Sequence, residues 1–424
     1  TFCNHLRINN SEKEDLLECY TMEKIGKATY QNRKYVQSLL KHLSPMTATA
    51  VSPDLEINTF LQSNSLLYNA LKKAFQTQDT SLSIRTNLPA SYEYFFYVLN
   101  QLRMECKKSI PVKHIFNIHP NPLSIPESTV NLEKLYYIVP FLFSDYKDYY
   151  PAYYYSRNLD IDYSVQLYPF YVIIDKELVL LSADLKKGII HTDTLTINHY
   201  ITAFDRATKE TTPLVTGISD PRTALIHYNN INKNYGSPSY SLETQPCIYA
   251  YFSDPDHFEC LCSDEIPEKE SLVASCRKNF NTYYDHLENF QCICTIDGIR
   301  RFSQNGKLSG ALATYAPPFS VSKRKQMLSC FLTQLKTTNS FLVTNDTFRM
   351  PEHIQIELYG KKLVCIIYTE HNNFNFIICT ESSICEAFYD FAGSIAESEH
   401  LASNDEVEKE IITQLNQSTM VATN

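Results

Sequence analysis

The sequence predicts a mixed α/β fold, α+β in its detail: an N-terminal helical hairpin, then two mixed domains whose antiparallel meanders or hairpins are flanked by helices. Three observations carry this. Helical and strand periodicities alternate along most of the 424 residues. Two groups of apolar strands, at 168–192 and 362–380, are joined by links short enough to demand antiparallel pairing. The length suffices for two or three buried cores.

The hairpin comes first. Ser11-Glu12-Lys13-Glu14 has the form of a capping box, followed by an apolar stripe at Leu16, Leu17 and Tyr20 that Gly26 ends. A second stripe runs through Tyr35, Val36, Leu39, Leu40 and Leu43 and stops before Pro45. Residues 1–46 thus form a connector. The first residue is Thr rather than Met, so we expect a further segment upstream.

The next domain, 47–235, opens on a helix over 54–75 and a short strand at 81–86. An amphipathic helix over 91–104 leads to a strand at 110–118, and a helix over 132–143 follows. From Tyr136 to Tyr171 there are 11 Tyr in 36 residues. Strands at 168–175, 177–183 and 188–192 form a meander, with a helix over 196–208 after it. Two Pro and one Gly in 211–221 mark a hinge, and Ser237-Pro238 a break after a helix at 221–234.

The last domain, 236–424, begins with strands at 247–252 and 258–262. A long helix spans 268–288, then a strand 290–296, a short helix 297–302 and a helix 323–335. A hairpin, 362–369 with 374–380, turns at His371-Asn372-Asn373. Ser382-Ser383 caps a helix with Ile384, Phe388, Phe391 and Ile395 on one face, and a final helix carries Val407, Ile411, Ile412 and Leu415. Strands followed by a helix recur at 168–208 and 362–396, an echo without sequence alignment.

Composition excludes several functions. Net charge is -9, and the densest basic run is Lys323-Arg324-Lys325, too little for a duplex-binding surface. No apolar run reaches the length of a membrane span, and no secretory signal is present. Thirteen scattered Cys point to reduced thiols in a cytoplasmic setting. Only 9 Gly occur, and no phosphate-cradling loop can be assembled from them.

Candidate chemistry is sparse. Cys260-x-Cys262 with Cys292-x-Cys294, beside His257, offers four thiols for zinc. A C-x-C on a strand also places two small buried hydrophobes on one face, so core packing is the preferred reading and no metal or other cofactor is assigned. His257-Phe258-Glu259 lacks the P-C-x-x-C partner of a deaminase. Tyr153 and Tyr155 share a strand face with Arg157 two positions on, a set that could present rings and a guanidinium to an anionic ligand. Padding of a sheet by Tyr is the plainer alternative.

The opening segment, Phe2 to Leu6, Glu12-x-x-x-Leu16-Leu17-x-x-Tyr20 and Glu23 to Gly26, resembles the stretch after the DNA-binding module of XRE-type helix-turn-helix regulators of Firmicutes. Segments 168–184, 295–306 and 380–391 are similar to the large C-terminal regions that some clostridial regulators carry. The resemblance implies a cytoplasmic, non-catalytic effector-sensing or oligomerisation region of a bacterial transcriptional regulator. DNA would be reached only through an upstream head, a small molecule or protein would be the effector, and a homodimer is expected. An orphan enzyme or a protein-interaction scaffold is the alternative.

Overall fold

A computed structural model describes residues 9–43, 61–79, 81–119, 130–143, 148–155, 167–252, 269–285, 287–309, 316–370 and 373–420. Two short helices begin it: α1 (Asn10–Ile25) and α2 (Lys27–His42), divided by Gly26 at φ 87°. The cap of α1 is not Ser11. Asn9 accepts from the Glu12 N–H while Glu12 reaches back to Asn9, so the box sits two residues earlier. Both tetrads satisfy the motif, and the earlier one wins because the helix starts at Asn10. Leu16, Leu17 and Tyr20 on α1 are exposed, whereas Val36, Leu39, Leu40 and Leu43 of α2 are buried.

The rest is two seven-stranded sheets. The first has the order β6-β5-β4-β1-β2-β3-β7, built from β1 (Ile84–Thr86), β2 (Val112–Ile118), β3 (Tyr149–Tyr155), β4 (Phe170–Ile174), β5 (Glu177–Leu181), β6 (Gly188–His191) and β7 (Thr212–Pro213). The second has the order β11-β10-β9-β12-β13-β14-β8, from β8 (Thr216–Ile218), β9 (Tyr240–Leu242), β10 (Gln291–Thr295), β11 (Phe341–Thr344), β12 (Ile354–Tyr359), β13 (Leu363–Glu370) and β14 (Asn373–Cys379).

The two sheets repeat one plan. In each, the central strand pairs in parallel with the next strand and antiparallel with the fourth. Three parallel strands run outward on one side (β1-β2-β3 and β9-β10-β11). A three-stranded meander runs outward on the other (β4-β5-β6 and β12-β13-β14). The echo at 168–208 and 362–396 is the end of this repeated unit.

The helices repeat as well. Helix α3 (Gln62–Gln76) precedes β1, α4 (Glu93–Cys106) links β1 to β2, α5 (Val130–Phe143) leads to β3, and α6 (Thr194–Thr208) follows β6. In the second lobe α7 (Pro221–Tyr235) precedes β9 and α8 (Lys269–Asp285) leads to β10. Then α9 (Ile296–Asn305) and α10 (Val321–Thr337) lead to β11, and α11 (Ser382–Ala396) follows β14. An additional helix, α12 (Asn404–Met420), buries Val407 and Ile411 over α9 and α10 and leaves Ile412 exposed.

One core spans both sheets. Leu39 of α2, Ile138 of α5 and Phe388 of α11 join Ile84 and Val112 of the first sheet to Ile356 and Ile366 of the second. The ion pair from Arg33 on α2 to Asp390 on α11, with both guanidinium bonds under 3 Å, ties the same elements. The chain passes between the sheets at 214–215, because β7 pairs with β3 and β8 with β14. Helix α7 packs on the second sheet, so this passage lies before the break read at 236.

Several expectations change. Residues 247–252 are not a strand: Ile248–Tyr251 is one 3-10 turn, since the Cys247 N–H bonds the Cys292 Sγ at 3.3 Å instead of a neighbouring strand. Glu381, not Ser382, caps α11, accepting from the Ile384 N–H. The strand read at 258–262 lies outside the described residues, as does the start of the helix read from 54. Among the described residues, no helix is long and apolar enough to cross a membrane.

Candidate ligand-binding site

Strand β9 sits where the chain leaves the centre of the second sheet in opposite directions, the position at which α/β sheets open a crevice. Side chains alternate along it. Tyr240 and Leu242 face the shared core, so Ser241 and the following Glu243 face the other side, under α7 and α8. Register places Ser241 beside Cys292 of β10 and Glu357 of β12. All three are buried.

Two carboxyl groups are held here. Ser241 Oγ–H donates to Glu243 Oε1 at 2.8 Å. Glu357 Oε1 accepts from Tyr228 OH at 3.1 Å and Gln355 Nε2–H at 2.9 Å. Tyr359 OH lies 3.0 Å from Glu357 Oε2 and 2.9 Å from Asn232 Oδ1. Burial disfavours the charged forms, pushing Glu243 up to about 8 and Glu357 up to about 7. Hydrogen bonds from Ser241 and from Tyr359 and Tyr228 oppose this without cancelling it.

Above these acids is a cavity of about 140 Å³. Its walls are apolar, with Leu225, Ile248, Phe290, Ile367, Phe374 and Phe376, and Tyr228, Tyr249 and Tyr283 add hydroxyls. Thr295 fixes the turn after β9: its hydroxyl donates to Thr244 O at 2.9 Å and accepts from the Gly298 N–H. Gly298 is required there, because a Cβ would come 1.9 Å from Thr244 O.

A larger space of about 470 Å³ runs along β3, β7 and the crossover. Its two buried polar rings, His114 and Tyr149, are already bonded to one another at 2.6 Å. Buried carboxyls converge only on the first cavity among these two.

The aromatic trio is divided. Tyr153 and Tyr155 share a face of β3, with ring centroids 5.3 Å apart. Tyr153 is buried in the shared core, and Tyr155 is 48% exposed with its hydroxyl donating to Glu381 at the α11 cap. Arg157 lies outside the described residues, as do His257, Cys260 and Cys262. Cys292 and Cys294 are both fully buried on one face of β10. Sequence reasoning missed Glu243, Cys247 and Glu357. A signal was present: Pro89-Ala90-Ser91-Tyr92 after β1 recurs as Pro246-Cys247-Ile248-Tyr249 after β9.

Comparison with protein-family models finds no match for this chain, and neither does comparison with curated proteins.

Proposed function

We propose that this chain is a non-catalytic sensing body that takes a compact ligand into the cavity of its second lobe. The carrying observation is a partly open cavity with apolar walls and two buried carboxyls at its floor. Sites of this kind recognise by shape and place a few polar groups for orientation. A cavity near 150 Å³ takes a molecule about the size of benzene. The floor acids and Gln355 favour a ligand with an amine or amide N–H. This is the effector-binding role that the regulator resemblance implies. The exposed Leu16, Leu17 and Tyr20 on α1 are where the resemblance would put contact with a second copy or an upstream head.

A second reading, an enzyme of acid–base type, is favoured by the raised pKa values of Glu243 and Glu357 in one cavity. Binding is preferred because protein donors hold both carboxyls fixed while their oxygens keep acceptor capacity for a ligand N–H.

The test is a thermal-shift series with benzene-sized amines and neutral heteroaromatics. Ligand at about 100 times its Kd stabilises by about 2.7 kcal/mol. We expect stabilisation of the wild type, its loss in the cavity-filling Ile248→Trp, and no turnover of the bound compound by NMR. No stabilisation by any such compound, or full retention in Ile248→Trp, would refute the sensing role; turnover would establish the enzyme.

A further inference from the structure

We propose that Glu243, Cys247 and Cys292 form a binding site for a zinc-class cation, with the fourth coordination position open to the cavity. One carboxylate oxygen and two Sγ atoms all lie within 4.8 Å of one another. Cys292 Sγ is 3.9 Å from Glu243 Oε1. Ligands of a tetrahedral zinc, with bonds of about 2.0 Å to oxygen and 2.3 Å to sulfur, stand roughly 3.5 Å apart. The three atoms therefore need to close by only a fraction of an ångström to over one ångström.

The donor set selects the metal. Two thiolates and a carboxylate suit zinc and exclude magnesium and calcium, which require oxygen ligands. Three protein ligands with an open fourth position is the arrangement of reactive or ligand-binding zinc rather than of structural zinc. Glu243 and Cys247 line the cavity, so the open position faces it, while Cys292 lies behind on β10.

Supporting bonds orient two of the ligands. Ser241 Oγ–H holds the Glu243 carboxylate, and the Cys247 N–H points at Cys292 Sγ. Tyr283, whose hydroxyl is set against the Cys247 and Cys292 thiols, closes the other side.

The repeated fold supplies an independent comparison. Ile84 and Thr86 of β1 face the α4 side as Ser241 and Glu243 face the α8 side. Counting from the shared Pro-x-x-Tyr and across the register, the first lobe has Thr86, Ala90 and Val112 where the second has Glu243, Cys247 and Cys292. The plan closes without any of the three donors. Their coincidence in one lobe, beside its cavity, is not a demand of the fold.

The inference does not depend on the sensing role, and its test uses no organic ligand. The full chain, reduced and stripped with a chelator, is titrated with Co²⁺ and then with Zn²⁺. We expect one equivalent of cobalt, a near-ultraviolet thiolate-to-cobalt charge-transfer band, visible bands of four-coordinate intensity, and displacement by zinc. Affinity should fall at least tenfold in Cys292→Val and in Glu243→Gln and stay unchanged in Cys276→Ala. Glu243→Gln keeps shape and decides alone if Cys292→Val does not fold. Absence of the charge-transfer band, or wild-type affinity in Glu243→Gln, would overturn the site. A chain that binds cobalt here yet no amine keeps this inference and loses the sensing role.

Discussion

The two lobes share the order and direction of six strands and the helices between them; they differ in the edge to which the seventh strand adds and in the central row of side chains. Across the centre of the first sheet, Val112, Ile84 and Ile174 stand side by side. The same row in the second sheet is Cys292, Ser241 and Glu357. The first row is sealed beneath α3 and α4 in the core that both lobes share. The second lies under α7 and α8, away from that core, with a cavity above it. One topology thus gives a closed centre with Val and Ile and an open one with Cys, Ser and Glu. The connections and apolar faces determine the plan, and a handful of residues on the central strands determine whether it holds a site.

The buried polar groups of the first lobe serve structure instead. Arg103 on α4 is fully buried, pairs with Asp148 at 2.6 Å and lies over the Phe141 ring. His114 on β2 stacks on Phe116 at 3.9 Å. Its Nε2 is 2.7 Å from Leu88 O and so carries the hydrogen, leaving Nδ1 to accept from Tyr149 OH. Of the Tyr in 136–171, Tyr149 belongs to this packing, whereas Tyr150, Tyr154 and Tyr155 are exposed.

The strongest way to break the comparison is Asp148→Ala. Removing the partner of a buried guanidinium costs about 3–5 kcal/mol. Chemical denaturation should register that loss, and hydrogen exchange should place it in β2 and α4. A loss under about 1 kcal/mol would contradict a structural role for the pair.

Next in size is an opposite response to pH. Burial pushes His114 down to about 3 from 6.5, so the unfolded chain takes up its proton first. The first lobe therefore loses stability as pH falls from 6.5 towards 3, by about 1.4 kcal/mol per unit. Glu357 is raised from 4.5 to about 7, so the metal-free second lobe has its full contribution below 4.5 and loses it as pH rises towards 7. Exchange of β2 and of β12 followed against pH should slope in opposite directions, and Glu357→Gln should reduce the second slope alone, leaving the part that Glu243 carries. Parallel slopes would mean that the two centres are not differently built.

The smallest effect belongs to the contact between lobes. Arg33 and Asp390 are partly exposed, so Arg33→Ala should cost about 1 kcal/mol or less. Its exchange signature should be confined to α2 and α11, with both sheet centres unchanged.

How much of this could be read in the sequence follows strand length. The meander of β4 to β6 and the hairpin of β13 and β14 were legible, because apolar runs joined by short links leave little freedom. The central strand Tyr240–Leu242 has three residues, too few for a period, and β11 and β12 were also missed. In β12, Ile354, Ile356 and Leu358 mark one buried face, and Gln355, Glu357 and Tyr359 read as solvent-facing. They are covered because α7 and α8 pack over that second face, which local pattern does not encode. The site was hidden for the same reason: a lone Glu carries no sign of burial until its helix cover is known.

The most direct test of the central claim is a crystal structure of the chain soaked with benzene-sized amine fragments. The account predicts fragment density in the second lobe, between Glu357, Tyr228 and Phe376, and none at Ile84, Val112 and Ile174. Fragments lodged at the first lobe's centre or along β3 and β7, with the second lobe's cavity empty, would contradict it.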